Sequence, residues 1–464
     1  MPNNVYDSVA QLIGKTPLVR INNLVREKDV EVFAKLESYN PGGSVKDRIA
    51  LNMIVEAQKN GLLKKGSTII EASSGNTGAA IAMLSNVFGY KCKIVVSDRV
   101  MSREKVRLLE NFGAEIITAP AIASRESPEG YVGTVKRLLK DIPNSVYLDQ
   151  YNNEANPEAH YSGTGKEIYE QTQGRITHFV TTIGTGGTIS GVGKYLKERN
   201  PSINVIGVDP IGSVIKGYFD KGELGDWRPY QLEAIGQDFL PNTLNLKYVN
   251  QIVQVGDGES LKMSRDLAMR EGISAGWSSG AAMLGVKKYL ENAEQKSGLI
   301  VVLFPDSSTG YLSKITNLGW QMKFGLGFSE FTVDSLLKEL FGDSGPPTKS
   351  INYSASVSKA LMTMVSTRQN QISVTRNKEP IGYVTLERLT SLVDADSLMS
   401  LQTIHPYVSS APVVEPATTL SQAFSLIRQN KVVIVKISQS RFACISNIEF
   451  SVFVSKLHRN LDAK

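Results

Sequence analysis

Two cysteines in 464 residues, Cys92 and Cys444, are too few and too far apart for a disulfide framework, and neither sits at metal-ligand or redox spacing. That scarcity fits a reducing compartment. No apolar run approaches the roughly 18 residues that a membrane-spanning helix needs. Met1 to Leu12 lacks the basic-then-apolar layout of a secretion signal. The net charge of +6 is small for the length and spread along the chain, which argues against a nucleic-acid binder with a dedicated basic face. A soluble cytoplasmic protein without nucleic-acid or membrane partners is expected. With 41% hydrophobic and 21% charged residues the composition is that of globular domains, and the length predicts two or three of them.

From about residue 15 to 320, short Val- and Ile-rich runs alternate with helix-period segments. Expected strands are 31–35, 68–71, 91–96, 115–118, 179–183, 205–208 and 299–304; helical segments such as 103–112 and 189–197 lie between them. The alternation predicts an α/β fold with parallel sheet covered by helices, whose ligands bind at Gly-rich strand-to-helix turns. Composition shifts after Phe328, and Gly342 to Thr348 is rich in breakers. We therefore expect a first domain over 1–328, a linker over 329–349 and a second domain over 350–464. The last contains a weak repeat. Helix 356–366, strands 371–375 and 381–385 and helix 386–392 are echoed by helix 419–429, strands 432–437 and 442–445, and segment 448–457. Each copy alone would leave an apolar face exposed, so the two should pack together.

Lys46 stands behind a Gly-Gly turn in Asn40-Pro41-Gly42-Gly43-Ser44-Val45-Lys46-Asp47-Arg48, where a helix is expected from Asp47 to Lys59. Desolvation there would free its lone pair for a Schiff base with an aldehyde cofactor; a solvated lysine is the plainer alternative. Ser73-Ser74-Gly75-Asn76-Thr77-Gly78 follows a strand and opens a helix, which suits a small carboxylate or merely a helix cap. Gly184-Thr185-Gly186-Gly187-Thr188 also joins strand to helix. Ile189 stands where a dinucleotide fold needs its third glycine, and no Gly-Lys-Ser/Thr ending exists, so a phosphate monoester or a plain turn remains. Gly276-Trp277-Ser278-Ser279-Gly280 has the form of a hydrolase nucleophile elbow. The only histidines after it, His405 and His458, lie in the appended region, which disfavours a triad.

With these pieces in order, the chain resembles the fold-type-II pyridoxal-phosphate enzymes, and within them the cystathionine β-synthase family. The likeness covers about residues 10–325. It runs from Ile13-Gly14-Lys15-Thr16-Pro17 through the loops above, Leu148-Asp149-Gln150-Tyr151 and Gly207-Val208-Asp209-Pro210 to Phe304-Pro305-Asp306-Ser307 and Tyr311. Cysteine synthases share most of these motifs. Gly236-Gln237-Asp238-Phe239 and the repeat, which resembles a degenerate pair of CBS (Bateman) modules, lean toward cystathionine β-synthase. The resemblance implies two open twisted α/β subdomains plus a C-terminal α+β tandem module. Lys46 would hold pyridoxal 5'-phosphate and shuttle the substrate Cα proton. Asn76 would bond the ring oxygen, Gly184, Thr185, Gly186, Gly187 and Thr188 the phosphate, and Ser278 the pyridine nitrogen. Ser73, Ser74, Gly75 and Thr77, with Gln150, would hold the substrate carboxylate. Gly236 and Asp238 would face the second substrate.

The implied reaction is β-replacement, in which serine loses its hydroxyl and homocysteine adds to give cystathionine. Cysteine in place of serine would release hydrogen sulfide. An O-acetylserine-dependent cysteine synthase is the near alternative, and an inactive adenosyl-nucleotide-sensing scaffold the distant one. With only a dozen residues before Ile13, the haem-binding region of the animal enzyme is absent and haem is not expected. Adenosyl-ligand sites in such module pairs carry Ser/Thr with an acid three residues on. Thr385 with Arg388 breaks that pattern, while Ser446 with Glu449 keeps it and could bind S-adenosylmethionine. A homodimer is expected from the resemblance.

Overall fold

The computed structural model describes residues 5–73, 75–98, 102–120, 127–293, 297–317, 320–321, 324, 326, 331–395 and 400–462. The chain divides into two compact units, Met1–Asn317 and Leu318–Lys464.

The first unit opens with β1 (Leu18–Arg20), β2 (Val30–Leu36), α1 (Lys46–Lys59), β3 (Thr68–Ala72), α2 (Asn76–Phe88) and β4 (Lys91–Ser97). It continues through α3 (Arg103–Asn111), β5 (Glu115–Ala119), α4 (Tyr131–Asp141) and β6 (Ser145–Tyr147). Then come α5 (Ala155–Ala159), a π-helical turn at His160–Gly165, α6 (Lys166–Gln171), β7 (Ile176–Thr182) and α7 (Gly187–Arg199). The unit closes with β8 (Asn204–Pro210), α8 (Ile215–Lys221), β9 (Gln251–Val255), α9 (Asp257–Glu271), α10 (Trp277–Asn292), β10 (Gly298–Phe304) and α11 (Leu312–Ile315). Two separate sheets result, ordered β1-β2-β10-β7-β8-β9 and β5-β4-β3-β6. Every pair is parallel except β1 with β2.

All seven expected strands form. β1, β6 and β9 were not foreseen, because two are three residues long and β9 is an edge strand interrupted by Gln254. The central strand β3 is buried at all five positions, as a strand covered on both faces must be. On the smaller sheet, Ile49, Met53 and Ile54 of α1 pack with Ile81 and Leu84 of α2 against Ile69 and Ile94. On the larger sheet, Ile189, Val192 and Leu196 of α7 cover Phe179, Val205 and Val301. These stripes fix the start of each helix at the C-terminal edge of its sheet, which is where the Gly-rich turns lie.

The second unit contains the repeat. Strand β11 (Ser350–Asn352), helix Val357–Thr367, strands β12 (Gln371–Arg376) and β13 (Glu379–Thr385) and helix Leu386–Ala395 form one copy. Strand β14 (Val413–Val414), helix Leu420–Asn430, strands β15 (Val432–Ser438) and β16 (Arg441–Ser446) and helix Asn447–Asp462 form the other. In both, the first strand is parallel and the third antiparallel to the second. Each copy is completed by the segment preceding the other. Val333 N–H donates to Thr418 O at 2.9 Å and Leu420 N–H to Phe331 O at 2.8 Å, while Val357 N–H donates to Gln402 O at 2.9 Å. The expected linker at 329–349 therefore needs correcting. Helix Val333–Phe341 lies within it, and Val333, Leu336 and Leu337 enter the core of the second copy with Leu420, Ile427 and Val433. The Gly342–Thr348 breakers mark the end of that helix.

Candidate active site

Three strand ends meet in the first unit: β3 running into Ser73, β7 into Gly184–Gly186, and β10 into Pro305–Asp306. Between them lies a cleft of about 440 Å³ whose lining includes Lys46, Ser73, Gly75, Asn76, Thr77, Gln150, Thr185, Gly236 and Asp238. A recess of about 30 Å³ adjoins it, lined by Lys46, Asn76, Gly184, Thr185, Gly186, Thr188 and Ser278 among others. Lys46, Asn76 and Thr185 border both. Of the site residues read from the sequence, Ser74 lies outside the described residues.

Lys46 is the first residue of α1, and its N–H bonds Ser44 Oγ at 3.2 Å. Burial brings its ammonium down from 10.5 to about 8, with the negative charge of Asp306 partly opposing the shift. A useful fraction of free amine is thus present near neutral pH. Behind it, Arg48 fixes the helix. Its guanidinium bonds Glu37 Oε2 at 2.6 Å and Glu167 Oε1 at 2.7 Å, and the fully buried Lys35 bonds Glu167 Oε2 at 2.8 Å. This network ties α1 to β2 and α6.

The recess has the features of a phosphate and ring pocket. Gly186 has φ +87°, and a Cβ there would lie 2.5 Å from Leu244 Cβ; one at Gly187 would lie 1.9 Å from Asn156 Oδ1. No side chain fits at either position, and Gly184 and Gly186 line the recess with backbone alone at the start of α7, where N–H groups favour an anion. The loop is braced from behind. Asn156 Nδ2 donates to Thr185 Oγ1 at 3.1 Å, Thr243 Oγ1 to Thr185 O at 2.6 Å, and His160 Nε2 lies 3.2 Å from Thr188 Oγ1. His160 is buried, and burial pushes its pKa well below the usual value, so the imidazole is neutral. It sits in the π-helical turn, a distortion that recurs at functional sites.

Ser278, on the first turn of α10, is 1% exposed and its Oγ makes no well-formed hydrogen bond; the Tyr311 hydroxyl beside it donates to Asp306 instead. A buried hydroxyl left over at a recess wall fits a ligand nitrogen. No described histidine bonds Ser278: His160 is engaged with Thr188 and Thr164, and His178 with Thr177 and Asn204. Among the described residues of the first unit, the nucleophile-elbow reading has no base. On the cleft side, Thr77 Oγ1 donates to Gln150 Oε1 at 2.7 Å, and Ser73 Oγ accepts from Gly78 N–H at 3.0 Å. These groups and the N-terminus of α2 form one polar wall. Gly236 is buried, while Asp238 is exposed to the cleft.

The sequence pattern alone gives Asp306 no role, although Phe304-Pro305-Asp306-Ser307 carries part of the resemblance. It is 5% exposed, and its Oδ2 accepts from Asn76 Nδ2 at 2.7 Å and from Tyr311 OH at 2.6 Å. Its backbone accepts from Gly276 N–H at 3.0 Å and from Ser279 Oγ at 3.0 Å. A Cβ at Gly276 would lie 1.9 Å from Asp306 Oδ1, so a glycine is required there. Asp306 joins the starts of α2 and α10.

A lysine with a lowered pKa, an anion cradle and an orphan hydroxyl together fit pyridoxal phosphate. A family model described as pyridoxal-phosphate dependent enzyme matches residues 9–306. The protein is a pyridoxal-phosphate-dependent enzyme. Cystathionine beta-synthase from Dictyostelium discoideum is 37% identical over 436 residues, covering 92% of this chain and 86% of that protein. Cysteine synthase from Staphylococcus aureus is 40% identical over 316 residues, covering 68% of this chain and 97% of that one. A crystal structure of a hydrogen sulfide-producing enzyme from Fusobacterium nucleatum superposes with a TM-score of 0.61 at 37% identity, over 66% of this chain and all of that one. The chain belongs to the cystathionine β-synthase family.

In the second unit, Ser446 and Glu449 bond each other. Glu449 Oε2 accepts from Ser446 N–H at 2.8 Å and from Ser446 Oγ at 2.5 Å, capping helix Asn447–Asp462. Gln371 Nε2 reaches the same oxygen from the first copy at 3.4 Å. Among the described residues no helix is long and apolar enough to cross a membrane, and no cluster of His, Cys, Asp or Glu could hold a metal ion.

Proposed function

We propose that this enzyme condenses L-serine with L-homocysteine to L-cystathionine by β-replacement. One observation carries the reading: the recess wall offers Ser278, a neutral hydroxyl, where a carboxylate would be needed to stabilise a protonated ring nitrogen. Pyridoxal phosphate, when bound, draws off the electron pair left at the substrate Cα, and a neutral ring does so weakly, which favours prompt loss of the β-substituent. Lys46 would hold the cofactor and then take and return the Cα proton through its Nζ. Asn76 would orient the ring, and Gly184 to Thr188 would hold the phosphate. Ser73, Gly75, Thr77 and Gln150, with Ser74 between them in the chain, would clamp the substrate carboxylate. Gly236 and Asp238, which line the cleft, would lie beside the incoming amino acid.

The likeness to the Dictyostelium cystathionine beta-synthase extends over 436 residues, beyond the region shared with the cysteine synthase, and favours homocysteine as acceptor. Cysteine in place of serine would release hydrogen sulfide. Mass spectrometry after incubation with serine and homocysteine should show cystathionine. Turnover confined to O-acetylserine with sulfide would instead make the protein a cysteine synthase.

We read the second unit as a tandem CBS (Bateman) module and the protein as a cytoplasmic homodimer. The matched strand orders of the two copies and their exchanged segments support the module; Cys92 and Cys444, both free, suit a reducing compartment. S-adenosylmethionine at Ser446 and Glu449 would have to replace the bond between them. Titration of the full chain tests this, because a fragment starting at 340 would lose helix Val333–Phe341 from the module core.

A further inference from the structure

Helix α3 belongs to the smaller sheet's half of the first unit, yet its first turn is fastened to the other half. Ser102 Oγ donates to Gly310 O at 2.8 Å, and Glu104 accepts from Ser313 N–H at 2.7 Å and from Ser313 Oγ at 2.8 Å. Lys105 goes further. Its Nζ bonds Glu233 Oε2 at 2.7 Å, and Lys314 bonds the other Glu233 oxygen. Lys105 and Glu233 are each 6% exposed, and both line the cleft. Glu233 lies between β8 and β9 of the larger sheet's half, three residues before Gly236.

The same ammonium has a second contact. Lys105 Nζ lies 3.9 Å from the centre of the Tyr311 ring. Tyr311 is fully buried and donates to Asp306 Oδ2, the oxygen that also holds Asn76. Lys105 therefore touches both the bond that joins the two halves and the tyrosine behind the recess. Its loss would leave Glu233 with Lys314 alone and free one face of the Tyr311 ring.

We propose that Lys105 is a positioning residue: with Glu233 it latches the two halves of the first unit across the cleft, and through Tyr311 it sets the orientation of Asp306 and Asn76 against the cofactor. Neither part depends on which thiol is the acceptor.

The test compares Lys105→Met, Lys105→Arg and Glu233→Gln in the full-length holoenzyme, by hydrogen exchange and by cofactor absorbance and fluorescence without substrate. Lys105→Met should speed exchange over 102–111 and 308–315 by roughly tenfold or more, because it strips a buried charge of a partner, and should also shift the cofactor spectrum. Glu233→Gln should speed exchange but leave the spectrum in place, since the cation remains over Tyr311. Lys105→Arg should restore both, as a guanidinium can pair and stack. If Lys105→Met leaves exchange and spectrum unchanged and only raises KM for one substrate, Lys105 is a substrate contact and the proposal fails. A Glu233→Gln spectrum shifted as far as that of Lys105→Met would refute the separate route through Tyr311.

Discussion

Asn76 and Asp306 are 230 positions apart in the chain, yet Asn76 Nδ2 donates to Asp306 Oδ2 at 2.7 Å. One residue opens α2 of the smaller sheet's half, and the other lies two residues beyond the end of β10, a middle strand of the larger sheet. Asp306→Asn should therefore loosen the ring contact without unfolding the unit, because an amide oxygen can still accept from Tyr311. A misplacement of this kind costs about 10²-fold in rate. We expect a comparable fall in kcat with a shifted cofactor spectrum, measured side by side. A normal rate and spectrum would leave Asp306 a purely structural residue.

Lys46→Ala should reduce turnover by on the order of 10³-fold or more, since the proposed covalent anchor and proton carrier would both be lost. The melting temperature of the apoprotein should hardly move, because alanine is favourable in a helix. Borohydride reduction of the wild type followed by peptide mapping should label Lys46, and a label elsewhere would overturn its role.

The lowered pKa of Lys46, about 8 against an ordinary 10.5, has a definite sign. Burial favours the neutral amine, so the free base dominates above pH 8 in the folded apoprotein. Its rate of combination with pyridoxal phosphate should rise through pH 8 and level off above it. An inflection near 10 would show that the amine is solvated.

Ser278→Ala should leave the fold intact and cost less than tenfold in β-replacement. Ser278→Asp should protonate the ring nitrogen and cost far more, on the order of 10²-fold, as the ring becomes a deeper electron reservoir. Absorbance and product ratios report both. Equal rates in the two variants would remove the electronic argument.

Glu167 links Arg48 to Lys35. Desolvation alone would raise its pKa, but the bonds from Arg48 and Lys35 override this and hold it at about 2, against 4.5 unperturbed. A depressed carboxylate stabilises the fold fully above the unfolded value and loses that contribution as pH falls through the folded one. The window is therefore pH 4.5 down to 2, with a contribution on the order of 3 kcal/mol. Urea midpoints over this range should fall more steeply in the wild type than in Glu167→Gln. Parallel curves would show that the network is solvent-screened.

Much of the site was legible because strand-to-helix turns are local signals. Lys46, Asn76, Thr185 and Ser278 each follow a glycine or an apolar run at a fixed offset, and they do share one site. His160, Asn156, Glu233 and Lys105 carry no such signal. A histidine in a helical stretch reads the same whether or not it braces a threonine 28 residues away. Helix Val333–Phe341 reads as linker in the sequence because its short apolar stripe is matched only by the core of the second copy, on elements about a hundred residues later.

The sequence by itself determined the alternation of strands and helices, the glycine turns at their junctions and the amine on the first turn of α1, since these rest on backbone sterics and on patterns a few residues long. Only the tertiary structure decided that this amine is desolvated, that Asp306 unites Asn76 with Tyr311, and that α3 is pinned across the cleft by Glu233. Desolvation and charge pairing depend on distance in space, and the partners here are 128 positions apart for Lys105 and Glu233 and 230 apart for Asn76 and Asp306.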